Sequence, residues 1–355
     1  MKNKKITVHS RGIEENRFAK IRLKIADRIM KFCLYIELDN ELLLRPLFGF
    51  YNLLTRNAYV LTYKEGEKHH YIPQFLLRNF SILNTSNIYE YTYKKTTRAV
   101  SIEKQAAFIP NLYSFKDRKT KQQSDFIEKQ IFAHTLEKFT SRVLNKIIKN
   151  ENAKLTFLEE SILVSFVGFQ YIRTPKFFAQ VTEVLEYLYL DRGISLEEML
   201  ESNFYKEVFF ENKYLITPQK LVKFGLQNKR KVQGVKNIIL GIALRIGGDL
   251  GSIIYRGNFY WIKANPPAFF YLSDNPVEMY NLIQKRNIGP FLWELKDDSL
   301  IYIPISPDTC LYYLKSGMDI PAHVVGGIME HSTGESVYEF AYSDRNSPKI
   351  SALFK

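Results

Sequence analysis

Gly247-Gly248-Asp249-Leu250-Gly251 marks the point at which the chain changes character. Upstream of it, apolar residues recur at three- and four-residue spacing, the period of helices that pack by one face. Downstream, Phe259 to Ala264, Ala268 to Ser273, Leu300 to Ser306 and Cys310 to Leu314 are short and rich in aromatic or β-branched residues. Asn265-Pro266-Pro267, Asp274-Asn275-Pro276 and Ser306-Pro307-Asp308 supply turns between them. Helices and strands in separate runs predict an α+β fold: a central helical bundle and a C-terminal, mainly antiparallel sheet packed on helices.

The helix starts are legible. Asp125 with Glu128 reads as a capping box ahead of the stripe Phe132, Leu136, Phe139, Val143, Ile147. Thr156 with Glu159 opens Leu158, Ile162, Phe166, Phe169, a stripe that runs on to Gln170 and Arg173 before Thr174-Pro175 begins another helix. Ser195 with Glu198, and Thr217-Pro218, open two more. On the N-terminal side, Tyr89, Tyr91 and Tyr93 alternate with polar residues and predict a strand that turns near Lys94-Lys95 into a second, an N-terminal β-hairpin. A last helix is expected near Ala322 to Tyr342, capping the sheet. Residues 1–66 read as a basic helical extension, with Ile21, Ile25, Ile29 and Phe32 on one face, and residues 67–355 as a single domain.

Composition narrows the class. With 46% apolar and 25% charged residues, 355 residues can bury a large core. The run Ile238 to Leu244 falls well short of the roughly 20 residues of a spanning helix, so no membrane span is expected. Met1 to Arg28 lacks the apolar segment of a secretory signal. Cys33 and Cys310, the only two cysteines, exclude a disulfide framework or a cysteine zinc site and point to a reducing, cytoplasmic compartment. A formal charge of +13 favours phosphate-rich partners, nucleic acid among them, although an acidic protein partner would select the same charge.

The densest polar segment is His69-His70-Tyr71-Ile72-Pro73-Gln74. Pro73 suits the first position of a short helix, with Gln74 and Arg78 one turn apart and facing the same way. His70 then stands ahead of a helix N-terminus, where the backbone dipole disfavours imidazolium and leaves a neutral ring that can act as base or metal ligand. Read without context, two adjacent histidines more often cap a helix and fill a core. Glu128 lies on the apolar face of its helix, where a carboxylate needs a partner or a raised pKa, unless it only completes the capping box. Arg173 continues an apolar stripe and is expected to turn inward toward a carboxylate such as Asp274, and Asp274-Asn275 stands in a tight turn at a strand end.

Five motifs together resemble DUF4238, a bacterial family of unknown function. They are His69-His70-Tyr71-Ile72-Pro73-Gln74-Phe75-Leu76-Leu77-Arg78-Asn79-Phe80, Phe126-Ile127-Glu128, Gln170-Tyr171-Ile172-Arg173-Thr174-Pro175, and Ser273-Asp274-Asn275-Pro276-Val277 followed by Ile303-Pro304-Ile305-Ser306-Pro307. The likeness covers residues 68–342 and implies that these motifs converge in one pocket. The expectation is a hydrolase of phosphodiesters, RNA or another nucleic acid. His70, His69, Glu128 and Asp274 are its candidate catalytic residues, and Gln74, Arg78, Gln170, Arg173 and Asn275 its candidate substrate contacts. The alternative is a non-enzymatic module that binds or senses an anionic ligand such as a nucleotide. His69 or His70 with Asp274 offers ligand types that a divalent metal accepts, but too few to define a metal site.

Overall fold

In the computed structural model the described residues are 67–93, 96–116, 123–125, 127–150, 152–179, 235–254, 258–264, 266–288, 295, 298–314 and 337–354. The basic extension, the helices expected after Ser195 and Thr217, the Lys94-Lys95 turn and most of the helix expected from Ala322 lie outside them.

Every strand pairing among the described residues is antiparallel. Strand β1 (Lys68–His70) pairs with β4 (Phe108–Pro110), and the short helix α1 (Gln74–Asn79) follows β1 directly. The tyrosine-rich hairpin is present as β2 (Asn87–Thr92) and β3 (Thr97–Ser101), but it does not stand alone. Phe340–Ser343 pairs with it and with Leu272–Ser273, giving a four-stranded sheet in which β2 has neighbours on both sides. That finding corrects the end of the expected last helix. Phe-Ala-Tyr-Ser is too short an apolar run for periodicity to separate strand from helix, and pairing with β2 decides it.

A two-stranded ribbon, β5 (Phe115–Lys116) and β6 (Gln123–Ser124), leads to a π-helix over Ile127–Glu137, continued by α2 (Lys138–Lys149). Helix α3 (Phe157–Tyr171) begins with the expected capping box. The Thr156 hydroxyl accepts from Glu159 N, and the Glu159 carboxylate accepts from Thr156 N. Residues 175–179 are again helical, as Thr174-Pro175 predicted.

Helix α4 (Val235–Ile254) contains the glycine cluster instead of ending at it. A β-carbon on Gly168 of α3 would lie 2.4 Å from the Gly247 carbonyl oxygen and 3.0 Å from Gly251 N. The glycines thus let two helix backbones touch.

Past α4 comes a five-stranded sheet in the order β10-β9-β11-β12-β7. Its members are β7 (Asn258–Lys263), β9 (Glu278–Asn281), β10 (Arg286–Asn287), β11 (Ser299–Ser306) and β12 (Thr309–Leu314). Leu272–Ser273 is β8, Phe340–Ser343 is β13, and Pro348–Ala352 forms a closing turn of helix, α5. Alternation along β11 and β12 sends Ile301, Ile303, Leu311 and Tyr313 into the main core with α2, α3 and α4, and Leu300, Tyr302, Cys310 and Tyr312 into a second buried cluster, so both faces of these strands are covered. No helix among the described residues is long and apolar enough to cross a membrane.

Candidate functional site

The site is assembled where β1 runs into α1 and meets the C-terminal end of α3. Arg173 organises it from within, its side chain only 2% exposed. One guanidinium nitrogen donates to Glu137 Oε1 at 2.7 Å, and another donates to the His70 carbonyl oxygen at 2.7 Å and lies 3.6 Å from Glu128 Oε2. The guanidinium stacks over Phe132, 4.2 Å from its centroid. Arg173 is therefore turned inward as expected, but its carboxylates are Glu137 and Glu128. Asp274 is not its partner.

Glu137 carries no signal in an α-helical reading, because nine residues after Glu128 it would face the opposite side. A π-helix, with i→i+5 hydrogen bonds and roughly 4.4 residues per turn, brings nine residues close to two full turns. Both carboxylates thereby reach one guanidinium. Since one cation balances one anion, the two glutamates compete for it. Burial, followed in size by the opposing pull of Arg173 and then by the charge of Glu137, pushes Glu128 up to about 8. Burial therefore favours the protonated form of the Glu128 carboxyl.

That shift has a measurable consequence. The folded chain retains a proton that the unfolded chain releases above about 4.5, so Glu128 makes the fold less stable as pH rises from there to about 8. Glu128→Gln fixes the neutral form and removes this loss. The melting temperature of the variant minus that of the wild type should grow from pH 5 to 8 and level off beyond. A difference independent of pH would show that Glu128 is ionised throughout.

The two histidines sit in different surroundings. His69 is fully buried, and its Nδ1 accepts from Tyr113 N at 3.0 Å, so its proton resides on Nε2, 3.5 Å from Asp125 Oδ1. Asp125 also accepts from the Ser114 hydroxyl. His70 is 9% exposed and lies against Phe108. Burial, then the Arg173 charge, holds its imidazole well below the ordinary value, at about 4. The neutral ring expected from the sequence is present, although desolvation and a buried cation cause it and not the dipole of a six-residue helix.

Gln74 and Arg78 face the same way, as their spacing predicted. Arg78 donates to Gln74 Oε1 at 2.9 Å and pairs with Glu103 at 3.4 Å, its side chain 53% exposed. Gln170 donates from Nε2 to the Tyr71 carbonyl at 2.8 Å, while its buried Oε1 has no hydrogen-bond partner. Asp274 and Asn275 stand apart from this group. The Asp274 carboxylate, pushed up to about 6 by burial, accepts from the backbone N–H groups of Tyr338, Glu339 and Phe340 at 2.8, 2.6 and 3.0 Å. Asn275 Oδ1 accepts from the Thr174 hydroxyl at 2.8 Å, which ties the Ser-Asp-Asn-Pro turn to the end of the Gln/Arg helix. Among the described residues, Asp274 acts on the histidine segment through its field on the Tyr71 hydroxyl, which itself hydrogen-bonds Tyr342 at 3.1 Å.

His69, His70, Gln74, Arg78, Glu128, Gln170 and Arg173 are thus joined in one network, while Asp274 and Asn275 buttress it. Among the described residues no group of three or more His, Cys, Asp or Glu could hold a metal ion. His69, with one ring nitrogen on a backbone amide and the other facing Asp125, has no lone pair to offer one.

These features define an α+β protein in which polar motifs meet around an inward arginine and a largely buried imidazole. Residues 68–337 match the family described as Protein of unknown function (DUF4238), and the chain belongs to that family. The match begins with β1 and takes in every residue of the network. No curated protein and no solved structure matches the chain.

Proposed function

We propose that the chain hydrolyses phosphodiesters, in RNA or another nucleic acid, at the edge where His70 meets solvent. The arrangement that supports this reading gathers the His70 segment and Glu128 about one guanidinium, with the imidazole held down at about 4 and the Glu128 carboxyl pushed up to about 8. Groups pushed apart in this way are the form in which one site runs base and acid chemistry together. His70 takes the proton of the attacking hydroxyl as its oxygen bonds phosphorus, and Glu128 returns a proton to the departing oxygen as the other P–O bond breaks. Glu128 suits the acid role better than Asp274, whose carboxylate is filled by three backbone donors. Arg78 and Lys68, exposed beside the ring, supply charge for the phosphate; Arg173 stays engaged with Glu137 and the His70 carbonyl and acts by holding that segment. The helical bundle expected in the middle of the chain would be the scaffold.

Purified protein incubated with end-labelled RNA and DNA tests the reading. His70→Ala is expected to slow cleavage by about 10²- to 10⁴-fold. The rate should be flat between its limbs, falling below about pH 4 as His70 gains a proton and above about pH 8 as Glu128 loses one. Equal cleavage by wild type and His70→Ala would remove His70 from the mechanism. Retention of labelled strands without cleavage would favour the second reading, a non-enzymatic module that binds an anionic ligand.

A further inference from the structure

The amide of Gln74 lies between Arg78 and His70. Its Oε1 is 2.9 Å from an Arg78 nitrogen and its Nε2 is 3.3 Å from His70 Nε2. A guanidinium has only donors, so it can meet only the oxygen of the amide, and that fixes which way the amide faces. The NH₂ group is then directed at the ring, where it can only donate. His70 Nε2 must therefore accept, as a bare lone pair, and the ring proton must sit on Nδ1. The ring also makes a hydrogen bond to the Ile102 backbone of the kind that favours the protonated imidazole, as an N–H donor does. Both contacts select one tautomer.

We propose that Gln74 is a positioning residue whose amide, clamped by Arg78, holds the His70 ring in the Nδ1–H tautomer and so keeps Nε2 unprotonated on the side that faces Gln74 and Arg78. This rests on the reading of His70 as the base: only the Nε2 lone pair can take a proton from a hydroxyl approaching over the Gln74 and Arg78 side. Gln74 thus contributes through the imidazole and not by touching substrate. The arrangement also gives Arg78 a second task. A phosphate oxygen that draws Arg78 away from Gln74 Oε1 loosens the amide, and the Nε2 lone pair is released at the moment substrate arrives. Glu103, exposed like Arg78, lies 3.4 Å from the same guanidinium nitrogen.

The imidazole itself can be read. Long-range proton–nitrogen NMR on the full chain with labelled histidine reports which ring nitrogens carry protons, and His70→Gln assigns the His70 signals among the six histidines. The wild type is expected to show Nδ1 protonated and Nε2 bare at pH 7. Gln74→Glu reverses the polarity of the contact, since a carboxylate can only accept. The His70 proton should then move to Nε2 or be present on both nitrogens, with a titration midpoint raised by at least one pH unit. Gln74→Met, which keeps the volume and removes the donor, should give a mixture of tautomers, and Arg78→Met a partial shift in the same direction. A wild-type ring protonated on Nε2, or an unchanged Nδ1–H ring in Gln74→Glu and Gln74→Met, overturns the proposal. Because the spectrum reads the ring without turnover, those outcomes are separate from the cleavage assay. Altered tautomers with no hydrolysis would leave Gln74 in place and remove the hydrolase reading, whereas unaltered tautomers with His70-dependent hydrolysis would do the reverse.

Discussion

Arg173→Met is expected to destabilise the fold by about 3–5 kcal/mol, the loss that follows removal of one partner from a buried ion pair. The methionine can fill most of the volume over Phe132, so packing is largely preserved and the deficit is polar. The His70 carbonyl loses its donor and Glu137 keeps a charge beside a carboxyl it no longer shares a cation with. Glu137 is 20% exposed and can draw water, which limits the loss at that end; the His70 carbonyl lies deeper. Arg173→Lys should recover only part of the stability, because one ammonium cannot reproduce the fork that spans Glu137 and the His70 oxygen. Arg173→Met combined with Glu137→Gln should be more stable than the sum of the single changes implies, since the second removes a charge stranded by the first. Urea denaturation of the wild type, the three single variants and the double variant measures these differences. A loss under about 1 kcal/mol for Arg173→Met would mean that the guanidinium does not hold the histidine segment.

Gly168→Ala is the second change with a large expected cost, about 1–3 kcal/mol or more. The added carbon meets the Gly247 carbonyl oxygen at 2.4 Å and the Gly251 backbone at 3.0 and 3.3 Å, and no flexible side chain is there to move aside. The two helices must separate, and the β-sheet that packs on them loses contact with the core they form. Gly248→Ala is the matched control. Gly248 belongs to the same cluster, but a β-carbon there has nothing within 4 Å. In a helix interior that alanine should be neutral or should stabilise by about 0.5–1 kcal/mol. Thermal melts that place both variants below wild type by the same amount would show that the close approach of α3 and α4 is not what the glycines serve.

The sequence carried the strands well where turn formers bracket apolar runs. Phe259 to Ala264, Leu300 to Ser306 and Cys310 to Leu314 appear within a residue of their expected bounds. Ala268 to Ser273 shortened to two residues, and Glu278–Asn281 and Arg286–Asn287 had too few residues to show a period. The glycine cluster did locate the change from helix to strand, but its own role depends on Gly168, eighty positions away, which no local pattern connects to it. In the site, the histidine segment and the Gln/Arg helix end were legible as polar residues interrupting apolar ones. Glu137 was not, because the pattern was counted at the α-helical period and the chain uses the wider one there. The pairing of Arg173 with two glutamates instead of Asp274 had the same origin.

Strand β13 lies between β2 and β8, so the hydroxyls of Tyr71 and Tyr342 meet across 271 positions of chain. Contacts that distant must wait for most of the polypeptide to be ordered, which raises contact order and slows folding. The contacts of Arg173 with Glu137 and the His70 carbonyl need only the chain up to α3, whereas the Tyr71–Tyr342 contact closes only once β13 has paired.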